Sequence, residues 1–275
     1  MLIDQRSIVS ADHAGSAVAA AEPSERAVIF HYHLFKNAGT SLDALFQEQF
    51  AGRWVTREFP PQPGENRRAV RDWIGETPDA VCFSSHTALL PPPVVPRTRV
   101  LPVIFVRHPL DRIASAYSFE RKQGDLGFGS TLARHTSLAG YVETRLSLPR
   151  DRQCRNFHTA RFADMTPAKP DDELPRALRA LEELPFVGLV ETFEVSLQKL
   201  QSFLEREGFE GIDLRPVKHN VSRDRALSLD ERLDGMASEL GAELYAELER
   251  ANADDLRFYA AAVKAAGQDT PSDPE

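Results

Sequence analysis

The chain has 275 residues, 42% hydrophobic and 27% charged, which suits one α/β domain or a core with an added subdomain. A formal net charge of -8 argues against a nucleic-acid binder, which carries a basic balance, while leaving room for a local basic pocket. The two cysteines, Cys82 and Cys154, exclude a disulfide framework and zinc-finger spacing.

No stretch is long and apolar enough for a membrane span. Residues 1–26 are acidic and alanine-rich without a basic start, so they read as a flexible segment rather than a signal peptide. A single domain over 27–266 and a disordered tail over 267–275 are expected. A cytoplasmic protein follows as the expected location.

Val28 to His33 reads as a buried strand, followed by a short turn and a helix opening at Thr40-Ser41, with Thr40 as N-cap and Asp43 in the first turn. Trp54 to Phe59 reads as a short strand, Glu65 to Gly75 as a helix, and Ala80 to Ser84 as a strand leading to His86. Arg99 to Val106 is the clearest buried strand, and Pro109 opens the helix after it. Gly124, Gly127 and Gly129 mark a flexible loop. Helices are expected near Leu138 to Leu146, Asn156 to Phe162 and Glu173 to Leu184, then a strand at Phe186 to Val190 and an amphipathic helix from Phe193. Pro216 to Arg225 reads as a basic loop. A long helix carries Leu229 through Leu248, and a shorter one covers Asp254 to Lys264. Strands alternating with helices predict a P-loop-like α/β fold, its mainly parallel sheet flanked by helices. Ligands of such sheets bind at the carboxyl ends of the strands, where Lys36, His86 and Arg107 fall.

The first turn has the make-up of an anion site. Free N–H groups and the positive end of a helix point at the ligand, Lys36 adds a full charge, and Thr40 and Ser41 add hydroxyls. The lysine precedes Gly39, the reverse of the GxxxxGK order of nucleotide-triphosphatase loops. A second constellation is RHPLDRIASAY, Arg107 to Tyr117. Arg107 at a strand end and Ser115, eight residues on, can set a guanidinium and a hydroxyl on one phosphate. Arg112 between them has Asp111 or Asp125 as a partner. His31 and His33 share one strand face, a spacing open to a metal, but no third ligand is evident, and packing beside the loop is the expected role. No metal is expected.

Phe35-Lys36-Asn37-Ala38-Gly39-Thr40-Ser41 resembles the loop, often PKTGGTS or PKTAGTS, that wraps the 5′-phosphosulfate in the PAPS-dependent sulfotransferases, especially the carbohydrate-type group that includes heparan sulfate 2-O-sulfotransferase. Arg107, Pro109, Arg112, Ser115 and Tyr117 match that family's RxPxxRxxSxY motif, which binds the 3′-phosphate. Phe186 to Leu200 is similar to its later VGxxExxxxSLxxL stretch. The chain departs in having Phe35 for the usual proline, Asn37 for the first variable residue, and Ser85 for the glycine of a GH pair.

The resemblance implies PAPS (3′-phosphoadenosine 5′-phosphosulfate) as sulfuryl donor. Lys36, Asn37, Ala38, Gly39, Thr40 and Ser41 then hold the phosphosulfate, Arg107 and Ser115 the 3′-phosphate, and Arg223 reaches in from a late loop. Lys36 stabilises the leaving group and His86 is the catalytic base. His158 has no assignable role. A small-molecule or saccharide acceptor, a bacterial source and no nucleic-acid partner are expected. A nucleotide-dependent kinase of the same fold and a non-catalytic nucleotide-binding scaffold are the alternatives.

Overall fold

A computed structural model describes residues 25–166, 173–215 and 227–268. Five parallel strands form one sheet in the order β2-β3-β1-β4-β5. They are β1 (Arg26–Tyr32), β2 (Trp54–Thr56), β3 (Cys82–Ser85), β4 (Thr98–Val106) and β5 (Val187–Leu189). The chain is therefore α/β with a fully parallel sheet covered on both faces, as the alternation of elements predicts.

Alternation along β1 sorts its side chains. Val28, Phe30 and Tyr32 join Phe83, Ile104 and Val106 against α2 (Pro63–Glu76), α7 (Glu173–Glu183) and α11 (Ala253–Gln268). Ile29 joins Val103 and Phe105 on the other face, against α1 (Gly39–Gln49) and α8 (Phe193–Arg206). His31 and His33 fall on this second face by the same period of two, which turns them toward α1. A third cluster joins α3 (Pro109–Lys122), α5 (Leu138–Leu146), α9 (Leu229–Leu240) and α10 (Ala242–Ala251). The remaining helices are α4 (Phe128–His135) and α6 (Phe157–Ala163).

Several expected boundaries move. The strand at Trp54 ends at Thr56, and β1 begins at Arg26, inside the segment expected to be flexible. The Arg26 guanidinium donates to the carbonyls of Thr77 and Ala80, tying the strand start to the end of α2. Of the glycines expected to mark a loop, Gly124 and Gly127 lie in the connection between α3 and α4, while Gly129 falls inside α4. There a Cβ on Gly129 would lie 2.2 Å from Glu120 Oε1 and 2.5 Å from Arg145 Nη2, so this glycine serves close packing. The long leucine-spaced helix is two helices. Gly241, at φ 76°, breaks it while Met236, Leu240 and Leu248 stay in one core. Helix α11 runs to Gln268, into the expected tail.

Helix α1 starts at Gly39 with Ala38 at the N-cap, two positions ahead of the expected Thr40, and no side chain caps it. Asp43 lies beyond the first turn and faces the sheet. Lys36 (φ 64°) and Ala38 (φ 60°) both adopt left-handed backbone, which non-glycine residues rarely take. Such strain concentrates at sites that need a particular loop shape.

Candidate active site

Parallel pairing lines up the first residues beyond three adjacent strands. The registers Thr56↔Ser84 and Tyr32↔Ser85, continued past the strand ends, put Glu58 beside His86 and His86 beside His33. Two hydrogen bonds carry the ladders that far: Arg57 N–H to the Ser84 carbonyl (3.3 Å) and His33 N–H to the Ser85 carbonyl (2.9 Å). Glu58, His86 and His33 thus form a row along the carboxyl edge of the sheet.

His86 is about half exposed, and its Nδ1 lies 2.7 Å from Glu58 Oε1. The Thr87 hydroxyl donates to Glu58 Oε2 (2.8 Å) and itself accepts from the Phe59 N–H (2.6 Å). Burial alone raises the Glu58 carboxyl, but hydrogen bonds from His86 and Thr87 outweigh it and hold the group below its usual range. A carboxylate on Nδ1 leaves Nε2 of His86 as the atom open to a substrate, the orientation a general base needs. Glu58 was missed in the sequence because its signal is the strand order. Only with β2 next to β3 do Glu58 and His86 meet.

The His33 ring stands over His86, with ring centroids 3.8 Å apart and planes 30° apart. His31 Nδ1 and His33 Nδ1 take the two oxygens of Asp43 at 2.7 and 2.8 Å, and the Ser84 hydroxyl lies 3.2 Å from His31 Nδ1. Burial pushes the Asp43 carboxyl up, and the bonds to both histidines overcome this and hold it well below the carboxylate range. The three residues are the ligand types a metal uses, with Asp43 supplying the third group the sequence did not reveal. Their separations are hydrogen-bond lengths, and each Asp43 oxygen already has an imidazole partner.

The loop read from the sequence as an anion site differs in detail from that reading. The Asn37 N–H donates to the Leu34 carbonyl (3.2 Å) and the Ser41 N–H to the Ala38 carbonyl (3.1 Å), so these two amides are used internally. Among the described residues, the amides of Ala38, Gly39 and Thr40 have no backbone acceptor. Thr40 is exposed and Ser41 is half-buried. A Cβ on Gly39 would lie 2.1 Å from the His33 ring, so glycine is required here for the close approach of His33 and not for backbone rotation.

Asn37 is buried and faces away from a ligand. Its side chain donates to the Phe35 carbonyl (3.0 Å) and accepts at Oδ1 from His158 Nε2 (2.9 Å). His158 Nδ1 in turn meets Asp255 (3.2 Å), whose carboxylate also takes the backbone N–H groups of His158 and Thr159. All three side chains are essentially inaccessible. Asn37 and His158 therefore shape the loop from below, binding it to α6 and α11; this assigns His158 and corrects the expected ligand contact of Asn37.

Lys36 Nζ sits 4.2 Å from the centre of the Phe119 ring. Its ammonium is lowered from the ordinary lysine value by burial first, then by the charges of Arg107 and Lys122. Lys36, Arg107 and Lys122 lie close enough to repel one another inside a chain of net charge -8. Arg107 is held through Nε by Asp111 (2.6 Å), and the two terminal nitrogens of its guanidinium are further donors. Arg232 of α9 grips both oxygens of the same Asp111, at 2.9 and 3.2 Å. Burial raises the Asp111 carboxyl, and the two guanidiniums more than offset it.

Arg112 pairs with neither Asp111 nor Asp125. It is buried, donates to Gln153 and lies 4.1 Å from the centre of the Phe157 ring. Tyr117 donates to the Thr136 carbonyl inside the third core. In the second motif, then, Arg112 and Tyr117 build the core. Glu191, from the third motif, accepts from the His108 N–H (2.7 Å) and from Tyr259 (2.8 Å), fixing the turn that carries Arg107. Ser196 bonds both backbone groups of Leu189 and so fastens α8 to β5. Arg223 lies outside the described residues, as does the rest of its loop. A polar cleft of about 460 Å³ is lined by Arg145, Arg152, Gln153, Phe157, Arg161 and Asp164 among others.

No protein-family model matches the chain. An uncharacterized protein of Archaeoglobus fulgidus is 42% identical over 238 residues, which cover 84% of this chain and 94% of that protein. No helix among the described residues is long and apolar enough to cross a membrane.

Proposed function

The chain belongs to the family of the uncharacterized Archaeoglobus fulgidus protein, and we propose that its site transfers a sulfuryl group from PAPS to an acceptor hydroxyl. The observation that carries this reading is a base and an anion cradle on one sheet edge. His86, oriented by Glu58, lies beside His33, whose ring rests on Gly39 at the open start of α1.

The acceptor oxygen attacks sulfur in line while the bond from sulfur to the bridging oxygen breaks. Its proton passes to Nε2 of His86. Negative charge collects on the bridging oxygen, where Lys36 and the amides of Ala38, Gly39 and Thr40 are aimed. Arg107 and Ser115 take the 3′-phosphate, and adenosine 3′,5′-bisphosphate leaves. PAPS supplies the activated sulfuryl group; His86 contributes the base, and the remaining residues contribute positioning and charge.

The polar cleft beside α6 supports a saccharide acceptor, since its lining mixes hydrogen-bond donors and acceptors with Phe157. Thermal unfolding tests the cofactor. Adenosine 3′,5′-bisphosphate raises Tm without added magnesium, whereas a kinase responds to ATP with magnesium instead. A Tm indifferent to the bisphosphate contradicts the reading.

A further inference from the structure

The row on the sheet edge gives His86 an unequal set of restraints. Its Nδ1 has one bond in the ring plane, to Glu58, and half of the side chain faces solvent. One in-plane bond leaves the ring free to tilt about that bond. His33 is fixed on every side. Its N–H bonds the Ser85 carbonyl, its Nδ1 bonds Asp43, its ring covers Gly39, and it is 7% exposed. The face of this fixed ring lies against His86 at a centroid separation of 3.8 Å.

We infer that His33 is the positioning residue for His86: its ring is the platform that sets the plane of the base and stabilises it once it carries the acceptor's proton. The catalytic half of this inference rests on the sulfotransferase reading; the ring pairing does not. In the transfer the acceptor O–H bond breaks, the proton goes to His86 Nε2, the new O–S bond forms, and the electron pair of the old S–O bond leaves with the phosphate. No proton moves to or from His33. Asp43 accepts from Nδ1 of His33 and so fixes which nitrogen carries its hydrogen. The imidazolium of His86 then has a carboxylate at its edge and an aromatic face beneath it. Both contacts are stronger with the charged ring than with the neutral one, which is the condition for speeding the chemical step rather than tightening the ground state. His31, the second donor on Asp43, holds that carboxylate still.

His33→Ala and His33→Phe separate the platform from any polar role of the nitrogen. His33→Ala is expected to lower kcat about tenfold, the scale of an aromatic face beneath a cation. Its KM for PAPS and its Kd for adenosine 3′,5′-bisphosphate stay within about threefold of wild type, because the phosphate contacts remain. His33→Phe restores a ring and recovers most of kcat. The ring protons of His86 resonate upfield in wild type and in His33→Phe, and move to ordinary positions in His33→Ala. An unchanged kcat in His33→Ala, a His33→Phe variant no better than alanine, or the absence of the upfield shift overturns the inference. A wild type that turns over no PAPS rejects the sulfotransferase reading, and the NMR shift then decides the pairing by itself.

Discussion

Glu58 Oε1 accepts from Nδ1 of His86 at 2.7 Å, across 28 positions of sequence and between two adjacent parallel strands. The pair is half exposed, so it adds only about 0–1 kcal/mol to stability. Its effect lies in orientation. Glu58→Gln is expected to lower kcat about 10²-fold, the scale of a lost general-base contribution. Tm shifts by no more than a few degrees. Steady-state kinetics alongside thermal denaturation check this, and an unchanged kcat contradicts the assignment of His86.

Gly39 and His33 share a space that admits no further carbon. Gly39→Ala places a Cβ 2.1 Å from the His33 ring, and neither the strand end nor the helix start can yield freely. The expected cost is about 1–3 kcal/mol of overpacking, together with weakened binding of adenosine 3′,5′-bisphosphate. Urea denaturation and calorimetry read the two effects separately.

The Asn37–His158–Asp255 chain is buried throughout. Removing His158 strips a buried carboxylate of one partner and frees the anion loop. His158→Ala is expected to lose about 3–5 kcal/mol, the range for a broken buried pair. Hydrogen exchange at residues 35–40 is expected to speed up more than in α8.

How much of this was legible in the sequence follows from which forces are local. The parallel sheet and the strand–turn–helix around Lys36 rest on alternation and helix-start chemistry, both visible within short windows. Glu58 depends on β2 lying next to β3, and Asp43 on α1 covering the face that His31 and His33 share; both are long-range. Asn37 matched a ligand-contacting position, yet its side chain points inward because His158 waits 121 positions away. The α4 helix escaped for a similar reason. Gly129 is required by Glu120 and Arg145, and contacts of that kind leave no trace in local propensity.

Asp43, Asp111 and Asp255 all have carboxyls held below the ordinary value of 3.8, in each case against the upward push of burial. A lowered folded-state value means that the unfolded chain binds protons first as pH falls. Their stabilisation is complete well above 3.8 and drains away as pH drops through that value toward the folded ones. The urea midpoint is therefore expected to fall below about pH 4. The difference between wild type and Asp255→Asn shrinks over the same range. A midpoint insensitive to pH between neutrality and pH 3 contradicts the pairings, since about pH 3 lies below the unfolded carboxyl range.

The most direct test supplies PAPS carrying a labelled sulfuryl group to the purified protein together with saccharide acceptors and a cell extract. The account predicts a labelled product from wild type, about 10²-fold slower formation by His86→Ala, and loss of formation in Lys36→Ala. Label remaining on PAPS across every acceptor, or transfer undiminished in His86→Ala, would contradict it.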